Sequence, residues 1–376
     1  GVFVNWRAAS SGAWSPERTL IFLRCPFGET AKPSVNVPPV SMNSLQGGSA
    51  FGTARTIADA ASNENPIDIH RVNGRDWRMQ TLSRRSFLHA SVGLLALPAL
   101  AAPEENLTLG FSLYGMKTLK TGDALLRLSS IGYDSVEFCL NDGWDAAAGK
   151  LTAKRRRALK VLLAQFQLKL TALMVNLSLA GDQKLNREKL KQAAQIGHDL
   201  SPGAPPLIET VMGNGKWEAV KNQFRDSLGE WAETAKAAKT LVCVKPHRFG
   251  GVNRPEHAVW LVEQIKSPWI KLAYDYSHFA HRGMKLADTL KTMIPHTRFI
   301  HVKDTVLKDG KARFVLPGES GQIDYRKLIW GAFELGYRGD INVEVSGQVW
   351  GQRGYDPIAA ALQSYRNLAP AFKRKK

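Results

Sequence analysis

Eight short apolar runs, each followed by an amphipathic segment, succeed one another from Leu107 to the C-terminus, and few folds accommodate that pattern. The runs are predicted as strands at Leu109–Tyr114, Tyr133–Leu140, Leu168–Asn176, Pro206–Met212, Thr240–Lys245, Lys271–Tyr276, Thr297–Lys303 and Asp340–Ser346. Helices are predicted at Asp123–Ile131, Thr152–Gln167, Asn186–Leu200, Trp217–Ala238, Pro255–Lys266, Leu286–Ile294, Tyr325–Leu335 and Pro357–Leu368, the last capped by Asp356. Strands this short and rich in Val, Ile and Leu are those covered by protein on both faces. Eight alternations with nothing left over favour closure over an open sheet. The expected fold is therefore α/β, a (β/α)8 TIM barrel over 107–376. No GxGxxG or GxxxxGK[ST] motif follows any strand, which removes the nucleotide-cradling folds.

The first hundred residues read differently. Residues 1–78 are rich in Ser, Gly, Pro, Ala and Asn and lack periodic patterning, as expected of an upstream or disordered extension. From Met79 the chain carries a paired Arg84-Arg85, the apolar stretch Ser91–Ala101 and a small-residue Ala99-Leu100-Ala101. That is the form of a twin-arginine signal peptide over 79–101, with Met79 as the expected start and the periplasm as the expected destination. The stretch falls short of the ~20 apolar residues of a bilayer span, so no stable membrane anchor is expected. The net charge of +18 is mostly scattered, with dense clusters only at Lys154–Arg157 and Lys373–Lys376, and reads as solubility rather than a nucleic-acid face. Cys25, Cys139 and Cys243 have neither disulfide-framework nor zinc-type spacing.

Strand side chains alternate, so one inward residue determines the others. Placing the polar member inward aligns Glu137 with Cys139, Glu209 with Leu207, Lys245 with Cys243, Asp275 with Ala273, His301 with Phe299 and Glu344 with Asn342. Small or apolar groups then fill the strand middles, and ionisable ones gather at the C-terminal ends, where barrel chemistry collects. Such charges must pair, bind a cation or stay wet.

Several short motifs carry a resemblance. GYDSVEF at Gly132–Phe138, the AxxAK pattern entering strand five, DYSH at Asp275–His278, HVKD at His301–Asp304, PGESGQID at Pro317–Asp324 and VEV at Val343–Val345 occur in one order. Together they resemble the xylose isomerase-like TIM barrels, the sugar phosphate isomerases/epimerases, over roughly Leu107 to the end. The resemblance implies a divalent ion (Mn, Mg, Co or Zn) held by Asp275, His301 and Glu344, with His278 as a substrate contact. The pattern is broken at strand five, where Lys245 stands in place of the usual fourth ligand. Three accounts stay open: Glu209 or His247 completes the metal site; the Lys245 ammonium replaces the metal; or Lys245 is a base beside a bound metal.

The expected activity is a sugar isomerase or epimerase working by proton abstraction next to a carbonyl, through an enediolate. Glu344, Glu209 and Lys245 are its candidate catalytic groups, and His278, His247, Arg313 and Glu137 its candidate substrate contacts. A keto-sugar lyase or dehydratase on the same site is the nearest rival, followed by a non-catalytic carbohydrate-binding barrel that has lost its metal. The expected partner is a small carbohydrate. An apurinic-endonuclease chemistry would need histidines where strands two and three end in Leu140-Asn141 and Val175-Asn176, so no nucleic acid is expected. Trp144 and Trp350 are candidates for stacking on a sugar ring.

Overall fold

The computed structural model describes residues 107–372 and, separately, an antiparallel pair of two-residue strands at Arg7–Ala8 and Trp14–Ser15. The signal expected at 79–101, and the rest of 1–78, lie outside the described residues. Eight parallel strands form the barrel: β1 Leu109–Ser112, β2 Ser135–Cys139, β3 Lys169–Met174, β4 Leu207–Val211, β5 Val242–Lys245, β6 Ile270–Tyr274, β7 Thr297–Val302 and β8 Asp340–Val343. Each pairs with its sequence neighbours, and β8 pairs with both β7 and β1, so the ring is closed.

The helices alternate with the strands: α1 Thr121–Ile131, α2 Ala153–Gln165, α3 Gln183–Leu200, α4 Trp217–Ala237, α5 Pro255–Ile265, α6 Leu286–Met293, α7 Tyr325–Glu334 and α8 Pro357–Phe372. Their starts are chemically marked. Thr152, Asp182 and Asp324 accept from the backbone N–H three residues on, and Asp356 Oδ1 accepts from Ile358 N and Ala359 N at 2.8 and 3.1 Å. Each helix turns an apolar stripe inward: Leu125 and Leu128 on α1, Phe224, Leu228 and Trp231 on α4, and Leu261 on α5 are all fully buried. Burial of that kind contributes about 1.5–3 kcal/mol per large side chain. Among the described residues no helix is long and apolar enough to cross a membrane.

The interior is layered. At the floor, Asn342 on β8 donates to Thr171 Oγ1 at 3.1 Å, while its Oδ1 accepts from Ser135 Oγ at 3.4 Å. Gly110 on β1 makes room for this amide: a Cβ there would lie 2.2 Å from Asn342 Oδ1 and 2.3 Å from Ser135 Oγ. Above it Ala172, Cys243, Ala273 and Phe299 form a small fully buried apolar plug. The charged residues sit on top of that plug. Ladder irregularities between Val136 and Glu137 and between Leu272 and Ala273 lie just before two of the charged positions. Irregularities of this kind re-aim side chains beside functional sites.

Strand eight stops at Val343, and Ser346 caps a short helical turn, Gly347–Trp350; two further departures from the strand assignments bear on the site. Strand one stops at Ser112, and Leu113–Met116 is a 3-10 turn because Ser112 Oγ accepts from Tyr114 N. After β7 the chain adds an unexpected antiparallel hairpin, Asp304–Lys308 with Lys311–Val315. Its Asp309-Gly310 tip has positive φ at both residues, 53° and 68°, the geometry of the favoured two-residue hairpin turn.

Candidate active site

Glu137 (β2), Glu209 (β4), Lys245 (end of β5), Asp275 (after β6), His301 (β7) and Glu344 (after β8) meet at the C-terminal mouth, as the alternation predicts. All are buried; Glu344, at 7 %, is the most exposed. Lys245 lies at the centre. Its Nζ donates to Glu344 Oε2 at 2.7 Å, stands 2.9 Å from His301 Nδ1 and lies 3.2 Å from Glu209 Oε1, the last without hydrogen-bond alignment. On its far side His301 Nε2 is 2.9 Å from Glu137 Oε2. Phe299 supports the imidazole edge-on from below, with ring centroids 4.8 Å apart.

A second ammonium completes the cluster. Lys303 Nζ donates to Glu344 Oε2 at 2.7 Å and lies 2.7 Å from Asp275 Oδ2. Ser277 holds the other Asp275 oxygen through its N–H at 3.1 Å and its hydroxyl at 2.6 Å. Lys303 is missing from the candidates read off the sequence, yet it lies two residues after His301 and so shares its inward face. Asp304, one residue on, instead accepts from Ser320 Oγ and N at 2.6 and 3.1 Å and ties down the PGES loop.

This geometry sets the electrostatics. Burial opposes the Lys245 charge, but Glu209, Glu344 and Asp275 outweigh it and keep the ammonium protonated well above the ordinary lysine value. Burial likewise opposes the Glu344 charge, and Lys245, Lys303 and His301 overcome it, holding this carboxyl well below the usual range. Glu209 goes the other way: burial, with Glu137 and Glu344, raises it against the pull of Lys245 and His301. For His301, burial and Lys245 push downward while Glu137 and Glu344 pull harder, and the net shift is upward. The 2.9 Å approach of Lys245 to Nδ1 requires that nitrogen to be unprotonated, so the neutral tautomer with its proton on Nε2 fits the contact. Four carboxylates thus face two ammoniums and one imidazole within a few ångströms of one another.

His278 and His247 stand beside it, ring centroids 4.3 Å apart. Burial, with Lys303 among the nearby cations, depresses both, His247 to about 4 and His278 well below its usual value. His278 Nε2 lies 3.4 Å from Asp275 Oδ2, and its Nδ1 accepts from Arg248 N at 3.3 Å. Glu137 is fully buried on the opposite side of the His301 ring from Lys245, and Arg313 is exposed on the hairpin. Trp144 stacks on Tyr114 at 5.2 Å and carries Lys117 Nζ 4.5 Å from its ring, so packing accounts for its faces; Trp350 meets both aromatic rings edge-on.

The residues present do not fit a divalent ion. Each expected ligand, Asp275, His301 and Glu344, already faces an ammonium within 3 Å. A dication there would be repelled by two buried positive charges in a medium that screens them poorly. Among the described residues no group of three or more His, Cys, Asp or Glu is arranged to hold a metal. Of the three accounts open for Lys245, the geometry matches the one in which its ammonium takes the cation's place.

A closed parallel barrel with a charged cluster at its C-terminal mouth defines the class. Residues 125–369 match the family model described as Xylose isomerase-like TIM barrel, and the chain belongs to that family. Its fold is shared with the IOLI protein solved with a zinc atom, at 19% identity and TM-score 0.58, covering 71% of this chain and 98% of that one. It is shared also with 3-keto-D-glucoside 4-epimerase YcjR from E. coli, at 16% identity and TM-score 0.54, covering 70% and 99%. A third structure is the probable 3-DHS dehydratase AsbF from Bacillus anthracis, at 14% identity and TM-score 0.55, covering 69% and 99%. No curated protein matches the chain.

Proposed function

We propose that the protein is a keto-sugar isomerase or epimerase that abstracts a proton beside a carbonyl and stabilises the resulting enediolate with lysine ammoniums instead of a metal ion. The observation that carries this reading is the convergence of Lys245 and Lys303 on one carboxylate oxygen, Glu344 Oε2, at 2.7 Å each. Two donors aimed at a single oxygen form a site for negative charge, and an enediolate oxygen arriving there would meet both. The incoming oxygen takes over the donors that Glu344 Oε2 now receives, and His301 and Asp275 keep the two ammoniums in place as it does so.

The roles divide by proton affinity. Glu344, held low by the lysines, is a weak base and serves to orient them. Glu209, raised by burial, has the greater proton affinity and is the better proton carrier of the two. In the reaction its carboxylate takes the proton from the carbon next to the carbonyl, and the electron pair passes to the carbonyl oxygen. Return of the proton to the other face or the neighbouring carbon completes an epimerisation or isomerisation. His278 and His247, both neutral, can donate to or accept from substrate hydroxyls. The membership in a family whose fold neighbours include an epimerase supports the class of reaction, and the dehydratase among them keeps elimination from the same enediolate as the neighbouring chemistry.

A second reading has its own support. Every carboxylate at the mouth already lies within 3.2 Å of a lysine ammonium or an imidazole nitrogen, as in a barrel that binds a carbohydrate without turning it over. Incubation with a panel of ketohexoses and ketopentoses in heavy water separates the two. Deuterium incorporation by the wild type, falling at least about a hundredfold in Glu209→Gln, is the expected result for a general base. Equal incorporation by the variant would remove Glu209 from that role, and binding without incorporation would establish the second reading.

A further inference from the structure

Beside the lysine cluster, and separate from it, lies a cavity of about 440 Å³ lined by Arg248, Phe249, His281, Lys311, Arg313 and Gln348 among others. Three of these carry fixed positive charge and none is acidic. Among the described residues neither Arg248, Lys311 nor Arg313 forms an ion pair. Arg248 is only 7 % exposed, and its Nε and Nη1 are buried without a hydrogen-bond partner. Its one side-chain hydrogen bond is a long one, from Nη2 to Gln348 Oε1 at 3.4 Å. Burial lowers its pKa, with Asp275 the nearby charge that opposes this, but Asp275 is already engaged by Lys303 and Ser277.

The guanidinium is packed against aromatic rings rather than paired with a carboxylate. The Phe314 ring centroid lies 3.7 Å from its Cζ and that of Phe249 4.6 Å, so two aromatic rings pack on the group and leave Nε and Nη1, with three N–H donors between them, unused. A desolvated cation with free donors is destabilising unless something supplies the missing acceptors. A planar fork of this kind matches an oxyanion with two oxygens. Lys311 and Arg313 come from the hairpin that the barrel pattern does not require, and they add charge at the same cavity.

We infer that this cavity is a subsite for the oxyanion of a negatively charged sugar, a carboxylate or a phosphate group, with Arg248 as its anchor. The inference rests on the proposed reading of the mouth as a sugar site. The two places adjoin: the Phe314 ring that supports Arg248 also lies 4.9 Å from Lys303 Nζ and 5.3 Å from the His278 ring. A sugar held by its charged group here would present its remaining carbons to the lysines. The scattered excess of basic residues over the rest of the surface is not needed for this.

Calorimetric titration of the full chain with inorganic phosphate, D-glucuronate, D-glucose 6-phosphate and D-glucose tests the assignment. At least one anionic sugar is expected to bind about tenfold or more tightly than glucose, and to lose that advantage in Arg248→Gln. Which anion wins identifies the oxyanion. Should Arg248→Gln fold poorly, Lys311→Gln and Arg313→Gln, both on the exposed hairpin, are expected to weaken the same ligand several-fold and flatten its salt dependence. Equal affinity for charged and neutral sugars, or binding untouched by all three variants, would overturn the subsite. Competition by inorganic phosphate reads the subsite without any turnover, so loss of the enediolate chemistry alone leaves this result standing.

Discussion

At the scale of single residues the mouth is an exchange of one kind of charge for another. Lys303 neutralises Asp275 and shares Glu344 with Lys245. Lys303→Met would leave Asp275 Oδ2 without a cation in a fully buried setting, a change that costs about 3–5 kcal/mol, read from the denaturant midpoint of unfolding. A cost below about 1 kcal/mol would show that the pair is wet and unimportant to folding. The two neutral histidines give the residue scale its pH dependence. The folded pKa of His247, about 4, lies below the unfolded value of about 6.5. The unfolded chain therefore takes up this proton first, and stability falls as pH drops from about 6.5 towards 4. His278 acts in the same direction, whereas Glu344, depressed in the folded state, adds losses only below about 4.3, the ordinary glutamate value. The raised Glu209 and His301 act in the opposite sense over the same range, so the test is a difference: the stability of the wild type relative to His247→Gln, read as melting temperature, should fall from pH 7.5 to 4.5, and parallel curves would show that His247 does not carry the effect.

At the scale of elements, the strands are more legible than the segments that connect them. Alternation places Glu137, Glu209, Lys245, Asp275, His301 and Glu344 inward because a strand has only two faces. The same rule reaches Lys303, but a lysine at a strand end reads as solvated unless its partners are known. The hairpin at Asp304–Val315 is hidden for another reason: its Asp309-Gly310 turn is a strong local signal, but the barrel pattern is complete without it. Arg248 lies beyond the reach of any such rule, since its unpaired donors depend on Phe314, far along the chain, and no spacing encodes that. The floor of the barrel is a test of element packing. Gly110→Ala would drive a methyl to 2.2 Å from the Asn342 amide oxygen and cost about 1–3 kcal/mol by overpacking. Adding Asn342→Ala should return part of that loss, a coupling that a double-mutant cycle would measure; strict additivity would show that the two do not compete for the same space.

At the scale of the whole molecule, closure of the ring is what brings six strand ends to one mouth, and it brings Lys245 and Lys303 there together. The same fold accompanies a bound dication in the IOLI structure with its zinc atom, whereas here the chain supplies its own cations. Cations built into the chain are covalent and cannot be lost to a chelator. The most direct measurement is deuterium incorporation into the ketose substrate in heavy water by chelator-treated protein, with metal content determined by elemental analysis on the same sample. Undiminished incorporation with far less than one equivalent of any divalent metal per chain is the predicted result. Incorporation that disappears on chelation and returns with manganese, magnesium, cobalt or zinc would contradict a site run by lysine ammoniums.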